Sequence, residues 1–268
     1  MTVYLEVEPL RDCILPPFTS KVTRTAYAAL TGSPPKFPKR RASFSVLFRD
    51  GKPLYRTLKP GGGDYRRPRI VAEAGKTLTC RISVIFEEPP PLPEVSATFK
   101  VGAAELEARI HHVELLRASD VELKVPRKFV VKFLTPTLLP VPGRGKLLKR
   151  LGVRRRYRLI PDLPLALMLL AYDLRLQGVL DVSPVRVFKW AYAALAELDY
   201  SVKPVTVLYT VREGKPAVER GFVGYVAYEL LDPERTELLY KLLGFAARFG
   251  VGKSRSIGFG HVEITPMG

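Results

Sequence analysis

The apolar spacing of this chain switches period in a fixed order and then starts over, and that order restricts the fold more than any single motif does. Val3-Tyr4-Leu5-Glu6-Val7 alternates as a half-buried strand does. Pro16-Pro17 ends it, Thr19 or Ser20 can cap a helix running to about Leu30, and Gly32 and Pro34 close that helix. Ser43 to Phe48 alternates again, and Asp50-Gly51 reads as a hairpin turn into Pro53 to Leu58. Strands follow over Leu78 to Phe86 and Leu106 to Leu116, with a weak helix or loop after the prolines Pro89, Pro90, Pro91 and Pro93. At Lys128 the pattern restarts with the β-branched and aromatic run Phe129 to Leu134, ending at Thr135-Pro136. Helical spacing covers Pro164 to Leu176 and Pro184 to Leu198, and strands lie near Thr206 to Arg212 and Gly221 to Glu229. Asp232-Pro233-Glu234 starts a helix whose Leu238, Leu239, Leu242, Leu243, Ala246 and Phe249 form one stripe, and His261 to Ile264 is a last strand. The expected class is therefore α+β, with tandem βαββαβ units at residues 1–127 and 128–268.

Charge points to a partner. Lys and Arg number 43 against 26 Asp and Glu, giving a formal charge of +17. A polyanion releases counterions when such side chains neutralise its phosphates, so nucleic acid leads. The cations are clustered: Arg144, Lys146, Lys149, Arg150, Arg154, Arg155, Arg156 and Arg158 fall together, with no acid between Pro136 and Pro161. Smaller knots stand at Lys36, Lys39, Arg40 and Arg41 and at Arg66, Arg67 and Arg69. The opening segment lacks the basic stretch and apolar block of a signal peptide, and no run of about 18 apolar residues occurs, so a cytoplasmic, non-membrane protein is expected. Cys13 and Cys80 have no partner at metal-ligand spacing and read as buried thiols. One Gln (Gln177), no Asn and 24 Pro fit a protein from a hot environment.

The sharpest motif is Gly250-Val251-Gly252-Lys253-Ser254-Arg255-Ser256-Ile257-Gly258-Phe259-Gly260, set between a helix and a strand. Its four glycines permit positive φ and a close approach by another chain, so that backbone N–H groups can face phosphate oxygens. Lys253, Arg255 and the preceding Arg248 add charge, and Ser254 and Ser256 add donors. Glycines that merely ease helix-to-strand packing are the plainer alternative. Gly252-Lys253-Ser254 is not a P-loop, because Ala247 stands where the first glycine belongs and a helix leads in.

Phe249 to Val262, together with Gly221-Phe222-Val223-Gly224 and Phe133-Leu134-Thr135-Pro136, resembles the CRISPR-associated repeat-processing endoribonucleases of the RAMP superfamily. The resemblance implies two RRM-like, ferredoxin-like domains with a glycine-rich loop. It also implies precursor CRISPR RNA as partner and cleavage by attack of the ribose 2′-OH, giving 2′,3′-cyclic phosphate and 5′-OH ends. It calls for no metal and no cofactor, and it leaves open association with other Cas proteins and a homodimer. A non-catalytic repeat-binding protein and a structural subunit of an effector complex are the alternative readings. Many members carry a His after the first helix and some use Lys and Arg instead, and this chain has no His between Met1 and Arg109.

Lys21, Arg24 and Tyr27, spaced to share one side of the first helix, and Lys39 just beyond it are the expected catalytic neighbourhood. The expected RNA contacts are Arg40, Arg41, Lys146, Lys149, Arg154, Arg155, Arg156, Arg248 and the polar and glycine residues of the loop. His111 and His112 fall on one strand, whose alternation sends them to opposite faces, so at most one meets RNA. Trp190, Phe188 and Tyr192 read as core at helical spacing.

Overall fold

A computed structural model describes residues 1–32, 41–58, 69–87, 94–140, 150, 152, 157–212, 215–232 and 235–267. The chain forms two compact units, the first from residues 1–121, 206–219 and 255–258 and the second from residues 122–205, 220–254 and 259–268. Each mixes helix with antiparallel sheet.

In the first unit, β1 (Thr2–Pro9) lies between β8 (Leu78–Val84) and β10 (Ala104–Glu114), with β9 (Ser96–Val101) beyond β10. On the far side of β8 lie β3 (Ala42–Phe44) and β4 (Phe48–Arg49), which is paired to β5 (Lys52–Pro53). The expected strand from Ser43 to Phe48 is thus two short pieces, while the turn between β4 and β5 is as the sequence reads, with Asp50 at φ 50° and Gly51 at φ 72°. Helix α1 (Ser20–Thr31) lays Val22, Ala26, Tyr27 and Leu30 on the sheet face formed by Val3, Leu5, Val7, Leu78, Ile82 and Leu106. The burial ladder of β1, inward at Val3, Leu5 and Val7, is what its alternating sequence requires. Two small pairings complete the unit: β2 (Cys13–Leu15) with β7 (Ile70–Ala72), and β6 (Thr57–Leu58) with Thr206 and Val207.

In the second unit, β11 (Lys128–Thr137) pairs with β16 (Val262–Pro266) and β15 (Lys215–Leu230), and β14 (Leu195–Arg212) lies next to β15. Short β12 (Leu139–Pro140) pairs with β13 (Tyr157–Arg158). Helices α2 (Leu163–Leu176), α3 (Pro184–Ala194) and α4 (Thr236–Phe249) pack around this sheet, α2 against both others. Both α2 and α3 carry proline in the first turn, where its missing N–H costs nothing. Gly224, at φ 129°, lets β15 press against the backbone of Ser201, a contact that any Cβ would block. Trp190 is buried and its indole N–H donates to Asp232 at 2.8 Å, but Tyr192, on the other side of α3, is exposed. Among the described residues no helix is long and apolar enough to cross a membrane.

Candidate functional site

Lys21 and Arg24 stand one turn apart on the outer face of α1, both exposed, because the inward stripe of that helix is taken by Val22, Thr23, Ala26, Tyr27 and Leu30. Tyr27 therefore does not share their side. Its residue is 4% exposed, its ring meets Phe44 edge-on at 6.0 Å, and burial pushes its phenol above the ordinary range. Positions 21, 24 and 27 drift around the helix by about 60° per step of three, which at Tyr27 is enough to reach the core. Lys39, with Arg40, lies outside the described residues.

The outer face of α1 forms one wall of a cavity of about 590 Å³ contained in the first unit. Lys21, Arg24 and Thr25 line it on the helix side, Pro16, Pro17 and Phe18 along the approach to the helix, and Tyr209 and Thr210 from the segment that β14 contributes to this unit. Neither expected cap binds the helix end. The Thr19 hydroxyl donates to the Leu54 carbonyl at 2.6 Å and accepts from the Leu47 amide at 2.8 Å. The Ser20 hydroxyl donates to the Ile257 carbonyl at 2.7 Å. These bonds fix where α1 begins and bring the turn Arg255–Ile257 against it. Arg24 lies over the Phe44 ring at 5.8 Å, a cation–π contact that steadies a long side chain.

The glycine-rich loop adopts the positive φ its sequence predicts, at 76° for Gly250, 75° for Gly252, 94° for Gly258 and 71° for Gly260. The close approaches are nevertheless to the protein itself. A Cβ at Gly250 would meet the Gly260 carbonyl at 2.5 Å, one at Gly252 the Leu138 carbonyl at 2.6 Å, and one at Gly260 the Val251 carbonyl. The amides of Gly250, Lys253, Gly258 and Gly260 donate to the carbonyls of Ala246, Leu138, Arg255 and Pro136, so these four do not face a phosphate. The plainer packing role of the glycines is the one these contacts express. Arg255, expected as an RNA contact, is only 7% exposed, and its carbonyl accepts from the Ser43 hydroxyl at 3.4 Å. Lys253 is exposed, donates to the Tyr157 hydroxyl at 3.1 Å and lies 5.7 Å from that ring. Ser256 is exposed and Ser254 half-buried at φ 66°.

Arg41 pairs with Glu87 at 2.8 Å, and Arg248 bonds back to the Gly244 carbonyl at 3.3 Å. Lys146, Lys149, Arg154, Arg155 and Arg156 lie outside the described residues. The two neighbouring histidines do not alternate: a register shift pairs Tyr4 with His112 but Leu5 with Ile110, so His111 is extra. His112 stacks near Tyr4 at 5.7 Å and His111 reaches Glu6 at 3.3 Å, and Tyr4 and Glu6 share the face turned away from α1. Both histidines thus occupy one exposed face, which a strict period of two could not foresee. His261 is buried. Cys80 is buried, and burial raises its thiol to about 12, whereas Cys13 is half-exposed rather than interior. Tyr209 is the site residue that sequence reasoning missed, since a tyrosine between Leu208 and Thr210 in a strand carries no periodic mark of its surroundings.

The Cas6 N-terminal domain model matches residues 1–116, and the model of the CRISPR-associated endoribonuclease Cas6 matches residues 131–262. Among curated proteins the chain is similar to CRISPR-associated endoribonuclease Cas6 1 of Saccharolobus solfataricus, 26% identical over 189 residues, 65% of this chain and 64% of that protein. It is also 26% identical to CRISPR-associated endoribonuclease Cas6 2 of the same organism over 283 aligned residues, 96% of this chain and 93% of that one. Among solved structures it resembles a Cas6 product complex with a TM-score of 0.60 at 16% identity, covering 98% of this chain and 100% of that one. A Cas6-related protein of Pyrococcus furiosus superposes with a TM-score of 0.55 at 13% identity, with 98% of each chain covered. At such identities the superpositions speak for the fold, two tandem ferredoxin-like domains.

Proposed function

The chain belongs to the Cas6 family of CRISPR-associated endoribonucleases, and from that premise we propose that it binds the repeat of a precursor CRISPR RNA and cuts it once per repeat, without a metal, by 2′-OH attack on the adjacent phosphate. The observation that carries the reading is the pair of exposed cations, Lys21 and Arg24, on the wall of one cavity. In-line attack by the 2′-oxygen, whose proton passes to solvent water, forms a phosphorane with additional negative charge, and the 5′-oxygen leaves as the P–O5′ bond breaks. Two cations held on one helix stabilise that charge, and electrostatic groups of this kind are typically worth about 10²–10³ in rate each. In this reading Lys21 also passes a proton to the departing oxygen, a role worth about 10²–10⁴. Tyr27, packed in the core, supports α1 instead of touching RNA, and Lys253 and Ser256 offer further phosphate contacts.

Repeat RNA labelled at its 5′ end, incubated with the protein in EDTA beside a copy with 2′-deoxyribose at the cut, tests this. The expected outcome is one product that the deoxy substitution abolishes, with the Lys21→Ala, Arg24→Ala double variant slower by at least about 100-fold. A requirement for added metal, or cleavage of the deoxy RNA, would exclude the mechanism. The absence of any His before His111 favours a second reading, a repeat-binding protein that no longer cuts. Tight binding with no product would establish it.

A further inference from the structure

We propose that the cavity beside α1 is a single-nucleotide site, in which Tyr209 stacks on an unpaired base while Lys21 and Arg24 hold its phosphate. The inference rests on the proposed function for RNA as the ligand and adds how that RNA is seated. Its starting point is the hairpin segment 206–219, which belongs to the first unit although its neighbours in sequence belong to the second. Thr206 and Val207 pair with Leu58 and Thr57, and the Leu208 amide donates to the Arg56 carbonyl at 3.1 Å. Val207 and Leu208 are buried, at 0% and 1% exposure, so the strand is locked up to Leu208, and the next residue, Tyr209, emerges half-exposed on the cavity wall.

The Tyr209 ring is held in place from behind. It meets Phe18 edge-on, with centroids 5.9 Å apart and planes at 62°. Phe18 is 1% exposed and lies 6.1 Å from Tyr55, whose phenol burial raises to about 12. A ring backed in this way loses little freedom when a base settles on it, and aromatic rings of this kind stack any of the four bases. The cavity thus has an apolar wall of Pro16, Pro17, Phe18 and Tyr209 and a cationic wall of Lys21 and Arg24. A phosphate alone has no use for the first wall, and an apolar ligand none for the second. A nucleotide needs both. The volume of about 590 Å³ falls among small-ligand sites of about 300–1,000 Å³ and admits an unstacked nucleotide rather than a duplex.

The test uses the full chain and fluorescein-labelled repeat RNA, with affinity measured at several salt concentrations. Tyr209→Ala is expected to weaken binding about 10-fold, while Tyr209→Phe, which keeps the ring, stays within about 2-fold of the parent. Both should leave the salt dependence unchanged, because stacking releases no counterions, whereas Lys21→Ala and Arg24→Ala each flatten its slope by about 0.7. Abasic substitutions walked along the RNA should reveal one position where loss of the base costs the wild type about 10-fold and costs Tyr209→Ala nothing further. That wild-type scan reads the site even where Tyr209→Ala folds poorly. Equal losses for Phe and Ala, or no sensitive abasic position, would overturn the stacking role. A protein that binds and cuts with Tyr209→Ala unchanged loses this inference and keeps the nuclease reading. One that never cuts but shows the ring-dependent loss keeps this inference and loses the nuclease.

Discussion

Gly258 carries more of the site than its lack of a side chain suggests. At φ 94°, an alanine there would place its Cβ 2.7 Å from the Ser20 Cβ and 2.9 Å from Phe18 Cε1, and both residues border the cavity. Gly258→Ala should therefore cost about 2–4 kcal/mol from strain and overpacking together, lowering the thermal midpoint by roughly 5–15 °C. Calorimetry of the variant would check it, and a midpoint within 2 °C of the parent would mean that α1 yields readily. The glycines themselves were legible in the sequence, because residues with a side chain rarely adopt those angles. Their partners were not, since a positive φ says that something lies close without saying whether it is RNA or the neighbouring strand. Arg255 illustrates the same limit: a cation in a glycine loop reads as a phosphate contact, yet here it is buried.

Helix ends show how far local chemistry determines an element. Asp162 caps α2, its Oδ1 accepting from the Leu165 amide at 2.8 Å, and its other oxygen meets Arg158 at 3.0 Å. Asp162→Ala is expected to destabilise the protein by about 1 kcal/mol in urea unfolding, and Asp162→Asn, which keeps the acceptor, by less than half of that. The helices at Leu163–Leu176 and Thr236–Phe249 and the strands β1, β8 and β11 follow their apolar periods closely. Apolar period fails where pairing decides instead. Helical spacing runs on to Leu198, but Leu195 is already extended, at φ −115° and ψ 123°, because β14 begins there. The His111 bulge is a second case, invisible to a period of two until the register of β1 against β10 is known.

Across the whole molecule, acids that their surroundings keep protonated should make folding weaker as pH rises. Burial raises Cys80 from 9.0 to about 12 and Tyr55 from 10.0 to about 12. The unfolded chain loses these protons first, so their contribution is complete below pH 9 and is lost as pH rises toward 12. Urea midpoints measured from pH 8 to 11 should fall, and in Cys80→Ala the decline should begin about one unit later, near the ordinary tyrosine range. The charge of +17 was readable from composition, and the tandem α+β class from the order in which the apolar periods change. The interleaving of the units was not, because residues 206–219 and 255–258 return to the first unit through contacts that no local pattern announces.

That interleaving also bears on synthesis. A ribosome that has released residues 1–121 has made α1, with Lys21 and Arg24, but neither Tyr209 nor the turn at Arg255–Ile257 that Ser20 holds. The nascent chain can attract RNA by its charge before the cavity has its second wall, which arrives only with Tyr209 and Thr210. A chain that stops short of Tyr209 carries the two cations without the aromatic wall that faces them.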